Sequence, residues 1–407
     1  MINIIFILFS FIFSQSSILS ISGFGESNFY KNSASLGSGQ IELFSTSPKS
    51  GSPSAIATIW RNRFTSVNVS NQFQNLNIYG YNFFTNGINL LSISFPISKD
   101  KAVQFSINPQ YWSQYSLNEN NQNEVFKFDG INYSYKSHYY GRGGFSNFSL
   151  VWSQRFNKKF EFGIRFDNYF GNKFQSDSTF TYNISLNSEG EDIISPNSMT
   201  ITNSTHHYQG HGFEFSGNYI INNFFKLGFS YSRLGPLTIS RKKYFTAGLI
   251  RSNKIIDNIN ILNQKYTFGL KYKLNDNFGI ITEAKFKKWE SVDSELLIMK
   301  SQHYNQDKYS LGSYYHLIES GDGFFSSFTI RSGLFLKIFK NLESADLIKD
   351  YGVTLGSSFR YNKNANSINV SVIFGKREYD KYSIQNEQYI DCVLGIEVGE
   401  KWFIRKK

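Results

Sequence analysis

From Phe213 to Ile221 the chain alternates: Phe213, Phe215, Gly217, Tyr219 and Ile221 fall on one side, and Glu214, Ser216 and Asn218 on the other. A period of two is the repeat of a strand whose two faces meet different surroundings. Phe225, Leu227, Phe229 and Tyr231 alternate in the same way with Lys226, Gly228 and Ser230, and Tyr266, Phe268, Leu270 and Tyr272 with Lys265, Thr267, Gly269 and Lys271. Phe162, Ile164 and Phe166 stand against Glu161, Gly163, Arg165 and Asp167, and Ile368, Val370, Val372 and Phe374 against Ser367, Asn369 and Ser371. Each stretch predicts a half-apolar strand. Short polar connections at Lys99-Asp100, Asn157-Lys158, Asn222-Asn223, Asn275-Asp276-Asn277, Glu319 to Gly323 and Asn362 to Asn366 carry residues that tolerate turns, so each predicts a hairpin.

Read through the whole chain, the pattern predicts strands near 63–82, 87–97, 101–111, 145–155, 159–170, 207–221, 224–234, 264–274, 278–289, 306–318, 325–338, 351–361, 366–376 and 388–402. Long polar segments, read as loops, separate the hairpins at Trp112 to Gly144, Gly171 to His206, Gly235 to Asn263 and Glu290 to Asn305. Shorter ones lie at Phe339 to Asp350 and Arg377 to Glu387. Short turns on one side and long loops on the other, with an even strand number near 14, mark an all-β fold: a transmembrane antiparallel barrel of the bacterial outer membrane. Soluble sandwiches and propellers alternate too, but they favour Val, Ile and Leu.

Here 41 Phe and 26 Tyr stand beside only 6 Pro and 3 Met. Aromatic rings suit the two membrane interfaces, where one edge is apolar and the other wet. The last expected strand fits this reading: Ile390, Cys392, Leu394, Ile396 and Val398 form a lipid face, and Trp402-Phe403 an aromatic end. The only strongly apolar run, Ile4 to Phe13, is too short for a spanning helix of roughly 20 residues. Followed by Ser14, Gln15, Ser16 and Ser17, it predicts a signal peptide over 1–22 and therefore export. Net charge of +11 is spread at alternating positions without an arm or a finger, which argues against nucleic acid as a partner.

Several segments then resemble one family. Tyr140-Gly141-Arg142-Gly143-Gly144-Phe145, Ile348 to Gly356, Gly375-Lys376-Arg377 and Trp402 to Lys407 follow, in order, motifs of the FadL-like outer-membrane transporters. Where that family usually carries an Asn-Pro-Ala motif, Ser52-Pro53-Ser54-Ala55 stands with Asn replaced. The resemblance implies a monomer that takes up long-chain fatty acids or other hydrophobic compounds passively. It also implies an N-terminal lumen plug over 23–59 and a barrel over 60–407. A general porin, and a secretion-associated or adhesive barrel working through its long loops, share the same outline. Outer-membrane lipid and lipopolysaccharide, a hydrophobic small molecule and the barrel-assembly machinery are the expected partners.

The face assignment turns Glu161, Arg165, Asp167, Glu214, Lys226, Lys271, Lys273, Glu283, Lys285, Lys287, Arg331 and Lys337 inward. A cation beside an apolar pocket holds a fatty carboxylate by charge-assisted hydrogen bonds, which makes Arg165, Lys271, Lys285 and Arg331 the candidate ligand-binding residues. The same charges also serve an ordinary solvated lumen. Inward Gly163, Gly228, Gly269, Gly279, Gly395 and Gly399 leave room for a plug. No catalytic pair or cofactor motif stands out. No metal site is expected either: His206, His207 and His211 are the candidates by count, but residues four apart on a strand are about 13 Å apart, too far to share one ion.

Overall fold

The computed structural model describes residues 26–27, 32–44, 51–56, 64–78, 81–120, 126–128, 131–157, 159–186, 192–247, 250–291, 304–318, 325–341, 347–361, 366–380 and 386–401. The expected signal peptide and the aromatic end at Trp402-Phe403 lie outside these residues. Fourteen long strands form the wall: β1 (Phe64–Ile78), β2 (Tyr81–Pro96), β3 (Lys101–Asn120), β4 (Ile131–Phe156), β5 (Phe160–Leu186), β6 (Asp192–Ile220) and β7 (Phe225–Ala247) make the first half. The second half is β8 (Ile250–Lys273), β9 (Phe278–Ser291), β10 (Tyr304–Ile318), β11 (Phe325–Asn341), β12 (Leu347–Tyr361), β13 (Asn366–Tyr379) and β14 (Glu387–Lys401). Each pairs antiparallel with the next, and β14 returns to β1 from Glu387↔Ile78 to Lys401↔Phe64, which closes the barrel. Two short pieces add to it: Glu26–Ser27 on β3, and Phe126–Phe128 on β4.

Alternation sorts the faces as expected. Outward Phe166, Leu227, Leu334 and Val398 are 52, 46, 52 and 54 % exposed, while inward Glu161, Asn218, Thr354 and Val393 are buried. An exposed apolar belt around a closed barrel is stable only against lipid, so the chain is an outer-membrane protein.

Three of the segments read as loops, Trp112 to Gly144, Gly171 to His206 and Gly235 to Asn263, are largely strand, while most of Glu290 to Asn305 lies outside the described residues. β3 runs on to Asn120 and β4 starts at Ile131; β5 and β6 reach 27 and 29 residues, well over the roughly 10 needed to cross the apolar band. Beyond the membrane both faces meet water, so apolar alternation stops. Backbone pairing does not stop with it, because Thr179, Phe180, Thr181 and Tyr182 on β5 suit a strand on either face and ladder with β6.

One seam departs from the regular wall. β2 and β3 pair only from Leu91↔Ile107 to Pro96↔Ala102. Above that, among the described residues, Tyr81–Leu90 pairs with β1 alone, and the upper part of β3 with β4 and Glu26–Ser27. Two bulges sit where the strands part. Asn89 is the extra residue of β2 against β1, and Gln110 that of β3 against β4, next to Pro109, which has no N–H for a ladder. Both amides turn away from the seam: Asn89 Nδ2 donates to Gln72 Oε1 (2.9 Å) and Gln110 Nε2 to Asn147 Oδ1 (2.9 Å).

Residues 32–44 and 51–56 pack against the inward face. Asn32 caps the short helix α1 (Ser33–Leu36), its side chain accepting from Ala34 N–H at 2.7 Å, and Pro53 opens α2 (Pro53–Ile56). The path follows the wall backwards. Ser33 Oγ donates to Val393 O on β14 (3.2 Å), Gly39 N–H to Thr354 Oγ1 on β12 (2.8 Å), Glu42 and Leu43 N–H to Glu283 Oε2 on β9 (2.8 and 2.7 Å), and Ser54 N–H to Ser216 Oγ on β6 (2.7 Å). Ile56 ends it between Ala102 of β3 and Val151 of β4.

Close approach is what the glycines provide. A Cβ on Gly333 would stand 2.2 Å from Gly39 N, one on Gly312 2.3 Å from Ser38 O, and one on Gly163 2.3 Å from Pro53 C. Of the other glycines expected to leave room, Gly228, Gly269 and Gly395 also face this segment, whereas Gly279 accommodates the Tyr314 ring. Gly39 itself turns the chain with φ of 76°. Gly333→Val forces side-chain atoms into backbone, an overpacking cost of about 1–3 kcal/mol that the wall avoids by releasing the segment. The expected outcome is a still heat-modifiable barrel whose residues 32–56 are cut by protease in intact protein; an equally protected segment in G333V would contradict the account.

Candidate lumen site

The side chains of β3 to β9 that face inward above the N-terminal segment make an apolar cluster of Tyr111, Phe145, Tyr169, Tyr208, Leu234, Leu237, Ile239 and Trp289. Its aromatic members are in contact: the Phe145 ring centroid lies 5.0 Å from that of Tyr111, 5.3 Å from Tyr208 and, edge-on, 5.9 Å from Tyr169. The Gln110 bulge places Tyr111 here, because the extra residue restores the inward phase for it opposite Phe145. Between these rings and the charges below is a cavity of about 30 Å³, room for about one water molecule.

Lys287 bounds the cavity. Its Nζ stands 4.4 Å from the centre of the Trp289 ring and 4.7 Å from that of Tyr111, and it donates to the Tyr111 hydroxyl. Lys287 and Trp289 share a face two residues apart on β9, and that spacing is the only sequence signal for the arrangement. Nothing in the spacing of the chain points to Tyr111 as their partner from β3.

Arg165 borders the same cavity from below. It is bound to Glu214, its Nε lies 3.4 Å from Asp167, and Glu214 takes a second cation in Lys265 at 3.4 Å. Asp167 also accepts from Asn147 Nδ2 (2.7 Å) and Ser149 Oγ (2.5 Å). Lys265 extends the chain of charges to Glu42 at 4.0 Å, which is bound in turn by Lys285. Thus Arg165 and Lys285 belong to one network, and that network ties the N-terminal segment to the wall.

The other two candidates lie apart from them. Lys271 sits over the Tyr314 ring at 4.6 Å, and Arg331, the register partner of Tyr314, donates to Ser358 Oγ at 2.5 Å. Both stand toward the short-turn end of the barrel. The four residues therefore form two places, not one. A third group, Asp350 with Lys337 (2.9 Å), Arg377 (3.6 Å) and the Tyr389 hydroxyl (2.7 Å), joins Glu387 through Arg377 at 2.9 Å. Of the three histidines on β6, His206 faces the lumen, while His207 and His211 face out against Asn172 (2.7 Å) and the Phe166 ring (5.9 Å).

Comparison with known proteins places this architecture. A Pseudomonas aeruginosa FadL homologue superposes with a TM-score of 0.58 at 11% identity, over 93% of this chain and 99% of its own. The monoaromatic hydrocarbon channel CymD gives 0.55 at 10%, over 96% and 100%, and the Pseudomonas putida toluene transporter TodX 0.55 at 13%, over 94% and 100%. At such identities the likeness is one of fold, and the fold is the FadL-like barrel. No curated protein matches the sequence. The family model described as BamG matches residues 1–407, and with that full-length match on a FadL-like barrel the chain belongs to the BamG family.

Proposed function

We propose that this protein is a passive route through the outer membrane for hydrophobic compounds such as long-chain fatty acids, with residues 32–56 acting as its lumen plug. The observation that carries the reading is the seam. Where β2 and β3 part, Phe84, Ile88, Ile107 and Trp112 are 53, 51, 44 and 48 % exposed on the lipid side, and the apolar cluster around Tyr111 lies just inside. A hydrophobic molecule leaving that cluster sideways, past Glu26–Ser27 on the edge of β3, passes from the rings inside to the apolar side chains outside. Capture at the long outer hairpins and burial among the rings are driven by apolar transfer at roughly 0.8 kcal/mol per methylene, and no bond is made or broken.

In this reading Lys287 receives the polar end of an acid. Removing it takes away a charge-assisted hydrogen bond of about 1.5–3 kcal/mol. Lys287→Met is expected to weaken binding of a fatty acid by that amount and leave an alkane of equal length unaffected, as measured by displacement of a fluorescent fatty acid from the purified protein.

A second reading, contact with the barrel-assembly machinery, is favoured by one observation: the cavity among the lumen rings holds little more than a water. A barrel that acts by contact needs no open bore, and the full-length match to the BamG family suits such a role. One experiment separates the two. Leu90→Cys and Asn108→Cys, the pair that would continue the ladder from Leu91↔Ile107, are joined in a Cys392→Ser background by a reducible bifunctional thiol reagent. The transport reading expects uptake of a long-chain fatty acid into vesicles to fall to the protein-free rate when the seam is bridged and to return on reduction. Uptake that persists across a bridged seam rules out lateral release; no uptake by the unmodified protein leaves the contact reading.

A further inference from the structure

Outside the barrel, and independent of the transport reading, a groove of about 580 Å³ runs along β9. Its floor is the small residues Thr282 and Ala284, and its sides are Phe268 and Leu270 of β8 and Tyr309 and Leu311 of β10. Inside, this stretch of wall is covered by the N-terminal segment, with Glu42 and Leu43 bonded to Glu283 and Phe44 against Gly269. Glu42, Leu43 and Phe44 do not border the groove, and its lining residues Phe268, Tyr309, Leu311 and Leu334 are exposed on the outer face, so it opens toward lipid. A smooth barrel needs no such trough. The strand that would fill it carries an alanine and a threonine where its neighbours carry rings and leucines.

Charge marks one end of the trough. Continuing outward along the same face of β9 from Ala284, past Phe286, comes Lys288, exposed and about 13 Å further on by strand rise. Two strands away Lys340, also exposed, faces out beside Asp307 at 2.7 Å. Tyr266 and Phe286 pair between groove and cation, next to Tyr309 at the groove's own level, and such an aromatic girdle is that of the membrane interface, so Lys288 stands at headgroup depth on the side of the long hairpins.

The geometry points to a site for a single anionic lipid of the outer leaflet, with one acyl chain laid in the β9 groove and its phosphate held by Lys288. Charge chooses the headgroup and the missing side-chain volume holds the chain. A zwitterionic lipid has the same tails but a cation of its own near the phosphate, and it gains less from Lys288.

Native mass spectrometry of the full-length protein released from nanodiscs of phosphatidylglycerol and phosphatidylcholine in equal amounts tests this. The wild type is expected to retain phosphatidylglycerol in preference by roughly tenfold, the worth of one charge-assisted contact. Lys288→Glu should abolish the preference while tails of either lipid are still retained; Ala284→Phe, which fills the trough, should remove retention of both. Each variant is first shown to keep its heat-modifiable mobility. Equal retention of the two lipids by the wild type, or a preference that survives both substitutions, overturns the proposal. Displacement of the lipid by inorganic phosphate alone would overturn it as well, since the chain would then contribute nothing.

Discussion

Everything inside this barrel depends on the backbone of the N-terminal segment lying close against that of the wall at places where a side chain would stand between them, near enough for Thr354, Glu283 and Ser216 to reach its peptide groups. Gly312 and Gly333 face each other across β10 and β11, and the turn at Gly37, Ser38 and Gly39 rests directly on them. Only that approach lets Thr354 accept from Gly39 N–H and donate to Gly37 O at 3.1 Å. The buried backbone of the segment finds partners in the wall, as any buried peptide group must. Once it is seated, Glu42 falls among Lys265 and Lys285, and the charges of the wall gain a carboxylate they would otherwise lack.

The lumen's charges are for the most part answered by one another. Arg165 with Asp167 and Glu214, and Arg377 with Asp350 and Glu387, are buried groups in which a lone member would be costly. Such a network fixes the relative positions of strands far apart in the chain. It also means that a positive residue in the lumen is poor evidence for a ligand. Lys287 is set among rings, and the same rings border the small cavity beside it.

Most of the wall was legible in the sequence, because lipid outside and polar groups inside impose a period of two. Phe213 to Ile221 and Ile390 to Val398 show it plainly, and the inward set from Glu161 to Lys337 followed from phase alone. Where the surroundings are alike on both faces the signal vanishes, so the outer ends of β5 and β6 read as loop. The seam was hidden for another reason. A bulge adds one residue and leaves composition unchanged, and the strand read over 101–111 runs straight through Pro109. Which inward cations share a site depends on register and on Glu42 arriving from the N-terminal segment, and no local pattern encodes either.

The direction in which the N-terminal segment travels has a consequence for how the molecule is made. Ser33, at one end of residues 32–56, holds to β14, the strand that closes the wall, while Ile56 at the other end meets β3 and β4. The stretch around Ser33 therefore waits for its partner until β14 has been made and has paired with β1. Contacts between residues so distant in sequence form late and slowly. Docking of Ser33 thus becomes the molecule's own record that the ring has closed: a chain without β14 leaves that stretch unheld, exposed to whatever in the envelope inspects unfinished proteins.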